Sequence, residues 1–81
     1  MSLERAAMRG KLADAQMRTK KLILRIEGDC AAIRTGLNTA LTPVADLAVP
    51  QIAEQMDELV EAWAELQGTR SEIARLEREL A

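Results

Sequence analysis

The sequence predicts an all-α protein: two long amphipathic helices in an antiparallel, coiled-coil-like hairpin, assembling into a four-helix-bundle dimer. Three observations predict it. The chain is 48% hydrophobic and 30% charged, yet it has no Phe, no Tyr and one Trp, Trp63. Ala, Leu, Ile and Met with abundant charge is the palette of helices and lacks the aromatic enrichment of strands. Apolar residues recur at helical spacing in two long runs. Both prolines, Pro43 and Pro50, fall between those runs. A chain of 81 residues allows one small domain, residues 1–81. Its core would be thin if it folded alone.

The first helix is expected over about residues 3–40. Small and apolar residues fall at Met8, Leu12, Ala15, Thr19, Leu22, Ile26, Cys30, Ile33, Leu37 and Leu41. Up to Thr19 the steps alternate between 4 and 3; beyond it they follow a 3-4-4 pattern, which favours nearly straight packing. Ile23 and Leu24 widen the stripe, as in a helix with more than one neighbour.

The connector is expected over residues 41–50. Proline lacks an N–H and pushes the preceding residue toward extended backbone. Pro43 suits the first position of a helical turn with Thr42 as its N-cap, and Pro50 suits the start of the second helix. Asn38 and Thr39 supply chemistry for the end of the first helix. Leu41, Val44, Leu47 and Val49 make the connector apolar, so it is expected to fold over the end of the core as a partly buried cap. Its length suits a reversal between antiparallel neighbours.

The second helix is expected over about residues 50–80. Ile52, Met56, Leu59, Trp63 and Leu66 follow heptad steps of 4, 3, 4 and 3. The projected seam then meets Arg70 and resumes, shifted, at Ile73, Leu76 and Leu80, which predicts loosened packing there. Arg75 and Glu79 sit one turn apart, a spacing that supports a solvated helix.

Charge is distributed by half. Residues 1–41 hold eight basic and four acidic side chains, a net of +4, and residues 42–81 hold three and nine, a net of −6. Folding about residues 45–46 brings position i near 91 − i, so that Arg25 meets Glu65 and Arg18 meets Glu72. Exposed pairs of this kind are worth about 0–1 kcal/mol each. They select orientation and partner more than they add stability.

Several clusters bear on function. Gly28, Ala32, Gly36 and Ala40 recur every four residues and invite close backbone packing, with Gly28, Ala32 and Gly36 as the close-packing set. Two other readings are glycines merely tolerated in the helix and a break at Gly28 with Asp29 capping a new helix. Cys30 is the one cysteine, so no internal disulfide forms, and it reads as a small buried hydrophobe. Arg18, Lys20, Lys21 and Arg25 form the alternative face, for nucleic-acid phosphates, although no aromatics interleave with them. Glu54, Asp57, Glu58, Glu61 and Glu65 are acidic, but a carboxylate metal bundle pairs Glu with His and this chain has no His. That also removes the commonest general base and the Ser-His and Cys-His nucleophile pairs. No catalytic residue, cofactor site or metal site is expected, and the chain reads as non-enzymatic.

A lone hairpin of this composition leaves apolar surface wet, and self-association is the natural remedy. Leu22, Ile26, Ile33, Leu37, Met56, Leu59, Trp63 and Leu66 are the expected interface, with Trp63 at its centre. A homo-oligomer, most simply a dimer, is the expected partner state, with an unknown protein partner as another way to cover the surface; nucleic acid and membrane are not expected. Met1-Ser2-Leu3 is given little weight, as compatible with a cloning remnant. No hydrophobic leader is read at the N-terminus, and a cytoplasmic setting is expected.

The plan of amphipathic helix, Pro-bracketed turn and amphipathic helix ending "RSEIARLERELA" resembles the small, charged, all-helical accessory proteins of bacterial Mu-like prophages. The resemblance implies a phage-derived accessory or assembly protein and carries no functional residues with it. The functional expectation is a structural or interaction protein: an oligomeric helical hairpin acting as adaptor, assembly factor or regulator. The alternative is a small nucleic-acid-associated protein using the basic face of the first helix.

Overall fold

The computed structural model describes residues 2–81. Helix α1 runs Leu3–Gly36 and helix α2 runs Val49–Leu80, and a single 3₁₀ turn, Val44–Asp46, lies between them. The two helices lie antiparallel along each other in a rod of 63 × 16 × 15 Å. Its radius of gyration is 18.3 Å, against about 12 Å for a compact domain of this length.

Helix α1 is continuous through Gly28, so the alternative reading of a break there with Asp29 as a cap does not hold. A glycine inside a helix costs about 1 kcal/mol relative to Ala. Thirty-four residues of hydrogen-bonded ladder and tertiary packing absorb that cost. The helix begins on Ser2, whose Oγ accepts the Arg5 backbone N–H at 3.1 Å. Ser2 is therefore an N-cap and Leu3 opens the helix, while Met1 lies outside the described residues.

Helix α1 ends at Gly36, about four residues short of the expected boundary. Asn38 explains the stop. Its carbonyl accepts the N–H groups of Leu41 and Thr42 at 3.1 and 3.2 Å. Its Oδ1 accepts the Ala40 N–H at 2.9 Å. Asn side chains compete with helical bonding in this way. The chain reverses with no positive-φ residue.

The connector differs from expectation in two respects. Pro43 precedes the 3₁₀ turn with extended backbone, φ −56° and ψ 146°, and Thr42 does not cap it. The expected hydrophobic cap is also mostly absent: Leu41, Val44 and Val49 are exposed, and Leu47 alone of the four is half-buried. Pro50 sits in the first turn of α2, as its missing N–H allows. Ala48 precedes that helix and supplies no side-chain cap.

The core is one seam. On α1 the seam runs Arg5, Met8, Leu12, Ala15, Thr19, Leu22, Ile26, Asp29, Ile33 and Gly36, with Cys30 half-buried beside it. On α2 it runs Ile52, Gln55, Leu59, Ala62, Leu66, Thr69, Ile73, Leu76 and Leu80, with Gln67 and Glu72 half-buried on its flanks. The seam residues of both helices alternate between steps of 3 and 4, a heptad spacing. Beyond Thr19 the seam passes through Asp29 and Gly36, with Cys30, a member of the expected 3-4-4 pattern, half-buried beside Asp29 and Leu37 exposed. The expected interruption of α2 at Arg70 vanishes, because the seam passes through Thr69 instead.

Gly36 fixes the register. A Cβ built on it would lie 3.1 Å from Ile52 Cδ1 and 3.2 Å from Ile52 Cγ1. Position i on α1 is therefore level with about 88 − i on α2, three residues from the expected register. Ala15 and Ala62 are completely buried, so the helices approach closely at both places. Thr19 and Thr69 share one level in the seam. Each turns its hydroxyl onto its own helix, to Ala15 O at 3.0 Å and Glu65 O at 2.9 Å, and so avoids an unpaired donor. At the open end, Arg5 Nη2 donates to the Leu80 carbonyl at 2.8 Å. A cation is favourable at the C-terminus of a helix.

Of the close-packing stripe, Gly36 alone is confirmed in contact. Gly28 and Ala32 are exposed, and a Cβ at Gly28 would meet nothing within 4 Å. Gly28→Ala should therefore raise the unfolding free energy by about 1 kcal/mol. Gly36→Val, whose bulk must displace Ile52, should lower it. Urea denaturation followed by circular dichroism reads both. Ala48→Asp should add a cap and a favourable dipole interaction to α2, gaining about 1 kcal/mol in the same assay. An unchanged midpoint would refute that assignment.

Candidate functional site

A two-helix rod has two broad faces, one on each side of the seam. The residues beside the seam decide what each face is. Arg18 immediately precedes the seam residue Thr19, and Glu72 immediately precedes Ile73. They meet across the helices as an ion pair, Nη1 to Oε2 at 3.5 Å. This pair identifies one broad face as the one lined by residues at equivalent positions. On α1 these are Glu4, Lys11, Arg18, Arg25 and Ala32; on α2 they are Gln51, Glu58, Glu65, Glu72 and Glu79. The face is basic along the middle of α1, from Lys11 to Arg25, and acidic along α2.

The opposite face is lined by the residues that follow the seam on its other side. Toward the connector these are Ile23, Cys30 and Leu37 on α1 and Val49, Met56 and Trp63 on α2. Val60 extends the face outward on α2. Met56 is 43% exposed, and Val60 and Trp63 are 57% exposed. The half nearer the termini is polar, with Arg9, Gln16, Arg70 and Glu77 at the corresponding positions. Among the described residues, six of the eleven exposed large apolar side chains thus lie on this face, all in one half of it; Leu3, Met17, Leu24, Leu41 and Val44 are exposed elsewhere.

The residues expected to form an interface divide accordingly. Leu22 and Ile33 are buried in the intramolecular seam, and Ile26, Leu59 and Leu66 are half-buried in it. Leu37, Met56 and Trp63 lie on the exposed apolar face. Met56 and Trp63 were expected on the seam, but Gln55 and Ala62 occupy it, one position earlier. A Trp in the place of Ala62 would hold the helices apart, whereas Ala lets them close. Ile23, Val49 and Val60 belong to the exposed face and were not singled out as its members. Their signal was present in the sequence: they share a stripe with Met56 and Trp63 once the seam is phased on Ala62.

The basic cluster divides too. Arg18, Lys21 and Arg25 are exposed along one side of α1, beside the acidic flank of α2. Lys20 is turned about 100° from Lys21 and lies toward the apolar side. Phosphates approaching Arg18 would also meet Glu65 and Glu72. Cys30 is half-buried at the edge of the apolar face and has no disulfide partner. Leu24 and Met17 project from the back of α1, away from the seam, and are exposed.

Asp29 is the anomaly of the seam. Its Oδ2 is buried and accepts no hydrogen bond. Among the described residues no group of three or more His, Cys, Asp or Glu side chains is arranged to hold a metal ion. No helix among them is long and apolar enough to cross a membrane.

No family model, curated protein or solved structure matches this chain.

A buried carboxylate oxygen without a donor is destabilising, by about 1–3 kcal/mol or more. Asp29→Leu should therefore stabilise the hairpin and raise its urea midpoint. A lower midpoint would show that Asp29 has a role in folding that its surroundings do not explain.

Proposed function

We propose that this chain is a non-enzymatic structural protein that works through helix-to-helix association. It is an oligomeric hairpin serving as an adaptor, assembly factor or regulator. The observation that carries the reading is the division between the two broad faces. The seam is closed and continuous, yet Trp63, Met56 and Val60 remain outside it on one side. Soluble monomers rarely expose contiguous apolar patches beyond a few hundred Å², and larger ones mark interaction surfaces. Tryptophan is among the residues that most often anchor interfaces.

Two further features support the reading. The chain contains no His, and its one Cys has no disulfide partner, so the usual acid–base and nucleophile pairs cannot be assembled from its side chains. The resemblance to accessory proteins of Mu-like prophages is in keeping with a role in assembly.

Light scattering coupled to size exclusion tests the reading. The mass should exceed the 8.9 kDa of one chain at micromolar concentration and fall on dilution. A folded 8.9 kDa species at all concentrations up to several hundred micromolar would refute self-association.

A further inference from the structure

We infer that the apolar broad face is the seat of a second copy of this chain, docked with α1 of each copy over α2 of the other. The inference rests on the oligomeric reading above and gives it a surface and an orientation.

Area is the first argument. The hairpin exposes 5944 Å². A compact monomer of 8.9 kDa exposes about 4,800 Å². The excess, about 1,100 Å², is of the size that one partner contributes to a stable interface, about 800 Å². It goes with a core in which, among the described residues, six hydrophobic residues are buried, two of them alanines. A second hairpin laid on the apolar face gives each helix a second neighbour and turns a two-helix seam into a four-helix core.

Position is the second argument. Ile23 and Leu37 on α1 and Met56, Val60 and Trp63 on α2 are exposed on the same face. The opposite face already places the Arg18 guanidinium against the Glu72 carboxylate. The ionic face can stay in water while the apolar face is covered.

Charge chooses the orientation. Helix α1 carries eight basic and four acidic side chains, a net of +4. Helix α2 carries three basic and eight acidic ones, a net of −5. Stacking α1 on α1 and α2 on α2 sets like charge against like. A two-fold axis along the rod instead lays each α1 over the other copy's α2. All four neighbouring pairs are then opposite in charge and antiparallel, with opposed helix dipoles. Levels are conserved by this operation. Trp63 comes opposite the second copy's Ile23, and Asp57 comes within about one turn of its Arg34. The two connectors lie at the same end.

Two measurements test this. In sedimentation, wild-type protein should have twice the mass of one chain. Val60→Glu and Trp63→Glu should each weaken dimerisation by at least a hundredfold and leave helical circular dichroism intact, since both side chains are exposed in the hairpin. A wild-type oligomer that either helical variant leaves unchanged overturns this inference but not the oligomeric reading, whereas a wild-type monomer overturns both. A species larger than a dimer overturns the inference as well. For orientation, a spin label is placed on the connector as Ala45→Cys in a Cys30→Ser background. Electron–electron resonance should give a separation near the bundle width, about 20 Å. Stacking α1 on α1, with the two rods running in opposite directions about the level of Cys30, would separate the labels by about 40 Å and would overturn the proposed docking.

Discussion

Close approach of α1 and α2 along a single heptad seam is the constraint on which the rest of this structure depends. The approach requires small residues in the plane of contact. Ala15 and Ala62 have no exposed surface, and a carbon added at Gly36 would crowd the Ile52 side chain at 3.1–3.2 Å. Once the seam is phased on these residues, every other side chain has its place. Residues on one flank form a ladder of opposite charge, and those on the other form an apolar strip. A shift of one position on α2 would bury Trp63 and Met56 and expose Ala62 and Gln55. The larger side chains would then part the helices and lose the dispersion contacts that close packing provides.

The same economy leaves the molecule short of core. Small residues at the seam bury little area per turn, and Arg5, Gln55, Asp29 and the two threonines occupy seam positions that could have held aliphatic side chains. Threonine meets the hydrogen-bonding demand locally through the carbonyl four residues back. Arg5 meets it by reaching Leu80 at the open end. Asp29 does not meet it at Oδ2. Such a seam aligns the helices and fixes their register more effectively than it contributes hydrophobic stabilisation. The apolar material missing from the seam stands on the adjacent face as Ile23, Met56, Val60 and Trp63. This links the thin core of the hairpin to its proposed association.

Most of the hairpin was legible in the sequence because periodicity and breakers act locally. The residue types of both helices, the two prolines between them and the charge of each half point to antiparallel helices, and the Arg18–Glu72 pairing follows from folding about the connector. The phase of the second seam was not legible. Reading bulk as burial selects Met56 and Trp63, whereas packing two helices at close range selects Gln55 and Ala62. Apolar composition likewise suggests a buried connector. Leu41, Val44 and Val49 are apolar, but a rod of two helices has too narrow an end to cover them all. The surface on which the functional reading rests was therefore visible as a set of residues and wrongly placed on the molecule.

By itself, the sequence determined that this protein is helical, where its chain reverses and which helix carries which charge. Those properties follow from backbone sterics, from hydrogen-bonding groups within a few residues and from composition, none of which needs a neighbour. Only the tertiary structure decided which side of each helix is inside. That choice depends on how near the two backbones can come, and the limit is set jointly by side chains far apart in sequence, Gly36 against Ile52 above all. The division into an ionic face and an apolar face follows from that one distance.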